Sequence, residues 1–216
     1  PEFTMLEWYR PGFDEDALLE ETVALVRRVA EGPGMMMPAR ARLTCDELLA
    51  EQLGIVDGCD AATARLNEAL QERGWFDEEL DRRNAFDLLL AFAARERSAL
   101  EEILCLTGFP PELAALARIS EGRARRFEVY VGGQELANGY DEVTDAGELA
   151  ARFEAENERR RSARQRTMPR DERLLAAQHA GLPACAGVAL GVDRLLAWIG
   201  GSRGIADVIS FPGDRA

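Results

Sequence analysis

Lysine is missing from this chain of 216 residues; all 26 of its basic side chains are arginine, a composition expected of a genome-wide base bias. Histidine is nearly missing too. His179 stands alone, and Cys45, Cys59, Cys105 and Cys185 are scattered with no Cys-x-x-Cys spacing. A zinc centre of the Cys/His type is therefore not expected, and reduced thiols in a cytoplasmic protein are the simplest reading. No apolar run approaches the roughly 20 residues needed to cross a bilayer, so a soluble protein with no membrane partner is expected. The N-terminus carries no basic segment followed by an apolar one, so no secretory signal is visible. Excess positive charge is lacking as well: the net charge is −13, which speaks against broad capture of a phosphate backbone. The stretch from Arg159 to Arg173 is locally arginine-rich and reads either as a solvated helix face or as a local patch for nucleic acid.

What is present suffices for one domain with a substantial core, or one domain and a small insertion. Phe3, Met5, Glu7 and Tyr9 alternate with Glu2, Thr4, Leu6 and Trp8, the period of a strand, and put Glu7 and Tyr9 on one face. Asp14 starts a helix with Leu18, Leu19, Val23, Val26 and Ala30 on one stripe, stopped by Gly32-Pro33-Gly34. Met35-Met36-Met37 reads as a packing loop or a flexible lid. Residues 42–106 read as a helical insertion, entered through a Thr44/Glu47 capping box. Beyond it, Arg126–Val131 and Gln134–Asn138 flank Gly132-Gly133, a hairpin signal because both turn positions need positive φ. A polar helix from Thr144 to about Gln165, a short helix at 171–180, a glycine-spaced strand and a helix at 193–199 follow. The pattern predicts an α+β fold with an antiparallel sheet flanked by helices.

Three clusters point to chemistry. In a simple two-residue hairpin Tyr130 faces Glu135 and Glu128 faces Ala137, which puts Glu128 and Glu135 on one face, roughly 5–8 Å apart at Cβ. Two carboxylates that close either hold a cation, for which oxygen-only ligands favour Mg²⁺, or are unrelated acids on a solvated face. Asn138 and Glu142 come next, where Gly139 allows a bulge that re-aims side chains. With Glu7 and Tyr9 they form a set suited to an amine. Gly187, Ala189 and Gly191 alternate along one strand face and leave a flat floor for a ring. Arg194 follows near a helix N-terminus, where its planar fork suits phosphate oxygens; tight sheet–helix packing beside a surface arginine is the other reading. His179 reads as structural or exposed rather than catalytic.

The run Pro1-Glu2-Phe3-Thr4-Met5-Leu6-Glu7-Trp8-Tyr9 resembles the second half of motif 2 of class II aminoacyl-tRNA synthetases in their lysine-type version. Arg126-Phe127-Glu128, Glu135 to Glu142 and Gly187 to Arg194 resemble the remaining lysine-type signature and motif 3, in order along nearly the whole chain. Within that family, Leu6-Glu7-Trp8-Tyr9-Arg10-Pro11, Glu135-Leu136-Ala137-Asn138-Gly139 and Ala189 resemble the paralogues that ligate (R)-β-lysine to elongation factor P. At Ala189 tRNA-charging lysyl enzymes have glycine; a methyl there would reshape the floor of the amino-acid pocket.

The resemblance implies ATP and Mg²⁺ as cofactors, with Glu128 and Glu135 on the metal and Glu135, Leu136, Gly191 and Arg194 at the nucleotide. Arg194 would sit at the γ-phosphate as the catalytic cation. Glu7, Tyr9, Asn138, Glu142 and Ala189 would receive (R)-β-lysine or lysine, and elongation factor P would be the acceptor, with tRNA not expected as a partner. It also implies that motif 1, the motif 2 arginine and its glutamate lie upstream of Pro1. The chain is accordingly expected to be the C-terminal two-thirds of a homodimeric enzyme, and to lose ~10²–10³ in rate without that clamp. A second reading of the missing lysines, beside base bias, is that an enzyme releasing an activated acyl group avoids acylating its own amines. Asp141 departs from the histidine or serine expected before Glu142. A piece of a lysyl-tRNA synthetase, or a synthetase-like protein that binds without catalysing, are the other readings.

Overall fold

The computed structural model describes residues 2–31, 39–98, 102–202 and 204–212. The glycine–proline stop at 32–34 and the Met35–Met37 loop lie outside the described residues. Elements follow in the order β1 (Met5–Pro11), α1 (Glu15–Ala30), β2 (Ala39–Thr44), α2 (Cys45–Leu53), α3 (Thr63–Glu72), α4 (Arg82–Arg97), β3 (Glu102–Thr107), β4 (Ile119–Ser120), β5 (Arg123–Ala124), β6 (Arg126–Val131), β7 (Gln134–Asp141), α5 (Ala146–Ser162), α6 (Glu172–His179), β8 (Cys185–Gly191) and α7 (Val192–Ile199). Six strands form one sheet in the order β1-β8-β7-β6-β3-β2, and β4 pairs with β5 in a separate ribbon. The fold is α+β, as expected, with one correction: β2 and β3 run parallel, while the other neighbours are antiparallel. The residues at 42–44 and 102–106 are therefore sheet strands, and the helical block is the connection between them, because a parallel pair needs a long crossover.

Local signals explain the helix starts. Asp14 caps α1 by accepting from the Ala17 amide at 2.9 Å, and Thr44 and Glu47 form the reciprocal capping box of α2. Gly132 and Gly133 turn the β6–β7 hairpin at φ +55° and +73°.

The hairpin register differs from the simple one. Tyr130 does pair with Glu135, but Val129 pairs with Ala137 and Glu128 with Asn138, so β7 carries one extra residue at Leu136. A one-residue slip turns every later side chain to the other face. The bulge lies before Asn138, not at Gly139, and it brings Asn138 and Tyr140 round to the face of Glu128. Gly139 is in regular pairing opposite Phe127, whose buried ring lies across it. A Cβ at Gly139 would stand 2.3 Å from Phe127 Cζ, so only glycine fits beneath the ring.

The centre of the sheet's back face is apolar. Ile103, Cys105, Phe127, Val129, Ala137, Ala186, Val188 and Leu190 pack there against Leu18, Leu19, Val23 and Val26 of α1 and Leu195 of α7. The front face is divided. Leu104, Leu106 and Tyr130, with Ala41 and Leu43, are covered by α2, α3 and α4. The β1-β8-β7 half has no such helical cover among the described residues, and the candidate site occupies it.

Candidate active site

Strand register sets the composition of the uncovered half. Met5, Glu7 and Tyr9 pair with Gly191, Ala189 and Gly187, and Ala189 and Gly187 pair in turn with Asn138 and Tyr140. Directly opposed residues in a ladder share a face. The acids, amide and phenol singled out in the sequence therefore stand in rows above a floor of two glycines and an alanine.

Asn138 lies at the centre. On its β6 side it donates through Nδ2 to Glu128 Oε1 at 3.3 Å and to Glu135 Oε1 at 3.2 Å, so one amide bridges the two carboxylates. Glu128 is buried and well partnered. Tyr130 donates its hydroxyl to Oε2 at 2.7 Å, and Arg126 forms an ion pair with Oε1. Arg126 also donates to the Leu113 carbonyl at 2.7 Å and the Asn138 side-chain oxygen at 3.3 Å, with its guanidinium 4.5 Å from the Phe109 ring centre. Burial pushes the Glu128 carboxyl up to about 7, with the Arg126 charge opposing and the Glu135 charge adding to the shift.

On the β8 and β1 side, Glu142 and Tyr9 close over Gly187. A Cβ on Gly187 would lie 2.5 Å from Tyr9 Cε1 and 2.6 Å from Glu142 Oε1, so the bare backbone is what lets the two side chains approach. Glu142 is half-buried, and no hydrogen bond or ion pair reaches its carboxylate among the described residues. Burial, helped by the neighbouring Asp141 charge, pushes its carboxyl up to about 7. The Tyr9 hydroxyl is pushed up by burial and then by the charges of Glu142 and Glu7. These groups border a cavity of about 210 Å³ shared with Glu7, Asn138, Ala189 and two residues not expected from the sequence, Leu116 and Tyr140. Asp141, the departure from the family pattern, faces the other way: it pairs with Ala186 and binds Arg118 at 2.5 Å.

A second cavity, about 220 Å³, opens beyond Ala189 among Met5, Glu135, Leu136, Gly191 and Arg194. Asn138 and Ala189 line both cavities, so the two form one trough. Gly191 is the N-cap residue of α7. The exposed Arg194 donates from Nη1 to the Glu135 carbonyl at 2.5 Å, which ties the first turn of α7 to the hairpin.

Nine of the ten residues singled out in the sequence line this trough. Glu128 does not; it stands behind Asn138, joined to the trough through that amide and Glu135. Tyr130 and Arg126 were readable as its partners, since 126, 128 and 130 fall on one strand face. Leu116, from a distant loop, left no comparable signal.

The arrangement suits a cationic amine at the unpartnered Glu142 and an anion at Arg194. Its oxygen-only donors also fit a hard cation: Glu135 has one oxygen without a hydrogen bond among the described residues, beside Glu128. No group of three or more His, Cys, Asp or Glu among the described residues is arranged to hold a metal unaided. An ion here would need further oxygens, as phosphates supply. No helix among the described residues is long and apolar enough to cross a membrane.

A family model described as tRNA synthetases class II (D, K and N) matches residues 1–215. A Salmonella gallinarum protein named elongation factor P–(R)-β-lysine ligase is 40% identical over 224 residues, a match covering 100% of this chain and 66% of that protein. The protein of the same name from Salmonella paratyphi B is 41% identical over 222 residues, with the same coverage of each. The chain thus spans 66% of the length of these relatives.

Proposed function

The chain belongs to the class II tRNA synthetases of the D, K and N group, and from that premise we propose that it activates (R)-β-lysine or lysine with ATP and transfers the acyl group to a lysine of elongation factor P. The observation that carries this reading is Glu142: a half-buried carboxylate with no cationic side chain paired to it among the described residues, in one trough with Gly191 and Arg194. A buried carboxylate is costly unless a positive partner meets it. Within a group described by aspartate, lysine and asparagine, a pocket bordered by Glu7 and Glu142 repels the first and pairs with the second. The names of the relatives point the same way.

In the proposed reaction the side-chain ammonium meets Glu142 and Tyr9, and Asn138 and Glu7 orient the second amine. The substrate carboxylate then lies over Ala189, directed toward the cavity at Gly191. One carboxylate oxygen bonds to the α-phosphorus as the bond to the pyrophosphate oxygen breaks. An acceptor lysine amine next attacks the acyl carbon, an amide forms, AMP leaves and the amine proton is released. Leu136 packs against the nucleotide and Arg194 neutralises the γ-phosphate. Glu135, with Glu128 behind it, would hold Mg²⁺, which would supply further charge neutralisation to the phosphates. No side chain forms a covalent bond to the substrate; the rate comes from orientation and preorganised charge. The same reading places the reaction in the cytoplasm, with a protein rather than tRNA as acceptor and a homodimer as the working form.

ATP–pyrophosphate exchange by the native protein tests the proposal. Exchange should depend on (R)-β-lysine and exceed that with α-lysine, and elongation factor P should gain one lysyl mass. Exchange driven by aspartate or asparagine, or charging of tRNA with α-lysine, would overturn it.

A further inference from the structure

Resting on the amine-pocket reading above, a further residue governs which amines fit. Leu116 lines the 210 Å³ cavity beside Glu142, and it also lines a separate cavity of about 490 Å³ on the far side, whose apolar surface includes Ile119, Leu149 and Phe153. One half-exposed leucine thus stands between the amine pocket and a larger groove.

Its placement is over-determined by backbone contacts. The Leu116 carbonyl accepts from the Val143 amide at 2.9 Å, and the Arg118 amide donates to the Asp141 carbonyl at 2.7 Å, so the loop is stitched along the end of β7. Ala115 is held at φ +49°, a left-handed conformation that non-glycine residues rarely adopt. From α5, Arg152 donates through Nη1 to the carbonyls of both Ala115 and Ala117, at 2.9 and 2.7 Å, gripping the backbone on either side of Leu116. Such a conformation persists only where its surroundings enforce it.

We propose that Leu116 is the specificity-determining wall that limits amine substrates to a primary ammonium at Glu142, and that Arg152 is the positioning residue that holds the wall closed. An N6-alkyl lysine keeps a positive nitrogen for Glu142, but its tail must pass through the space Leu116 fills. Without that side chain the tail enters the apolar groove.

Calorimetric titration of the native protein and its variants with lysine, (R)-β-lysine and N6-propyl-lysine tests this. The native protein should bind N6-propyl-lysine at least about tenfold more weakly than lysine. In Leu116→Ala that ratio should move by about tenfold or more in favour of the propyl compound, with Leu116→Val between the two. Arg152→Ala should shift it the same way by a smaller factor and leave ATP affinity within about twofold, which general loosening of the fold would not do. An unmoved ratio in Leu116→Ala and Leu116→Val, with lysine still bound and melting temperatures kept, overturns the proposal. Failure of the native protein to bind either lysine overturns the amine-pocket reading itself, and the native titration alone identifies that case.

Discussion

Glu128 and Glu142 are two carboxyls on one face of the sheet, both pushed up to about 7 chiefly by burial, yet their surroundings are opposite. Glu128 is enclosed by Arg126, Tyr130 and Asn138, every one of them supplied by the two strands of a single hairpin. Glu142 has no such escort and looks across Gly187 at a phenol. The protein itself meets the cost of burying the first charge and leaves that of the second to whatever enters the pocket. A carboxylate satisfied by its own fold is a fixed part, whereas one left unsatisfied beside a cavity is a receptor for a cation.

The largest way to break this contrast is at the fixed centre. Arg126→Met removes the cation from Glu128 and leaves a buried, uncompensated carboxyl; urea unfolding should register a loss of about 3–5 kcal/mol. A loss under about 1 kcal/mol would mean that Glu128 is not held as described. At the receptor centre the effect should appear in binding and not in stability. Glu142→Gln should weaken lysine binding by roughly a hundredfold, about 2–3 kcal/mol, with the melting temperature kept or raised. Equal losses of stability in both variants would erase the distinction.

Two smaller effects sharpen it. Ala189→Gly deletes the one methyl from the floor and should shift preference from β-lysine toward α-lysine by about tenfold, read from exchange rates with the two substrates. Unchanged selectivity would discredit the floor argument. Acidity separates the two carboxyls further. A cation binds the ionised form of Glu142, so below about 7 the proton must leave first; affinity for lysine should fall as pH drops from 8 to 6, approaching about tenfold per unit at the acid end. The fall should vanish in Glu142→Gln, and its persistence there would assign the proton to another group.

Much of this was legible because it is local. The alternation of Gly187, Ala189 and Gly191, the Gly132-Gly133 turn and the Thr44/Glu47 capping box each depend on neighbours within a few residues, and the structure forms all three. Glu128 and Glu135 share a face in either register, since both keep their parity relative to Tyr130. The bulge at Leu136 was not legible. It is a property of the ladder between two strands, and it decides that Asn138 points toward Glu128 rather than into the core. The parallel pairing of β2 with β3 was hidden for the same reason, its partners being separated by the whole helical block. Leu116 reaches the pocket only because a loop far from any motif is bound to the end of β7 through Asp141 and Val143 and to α5 through Arg152.

The most direct test is a crystal structure of the native protein with a non-hydrolysable β-lysyl-adenylate analogue. The account requires the side-chain ammonium within hydrogen-bond distance of Glu142, the acyl carbon over Ala189 and the adenosine at Gly191 and Leu136. An analogue seated elsewhere, or one that leaves Glu142 facing only water, would contradict it.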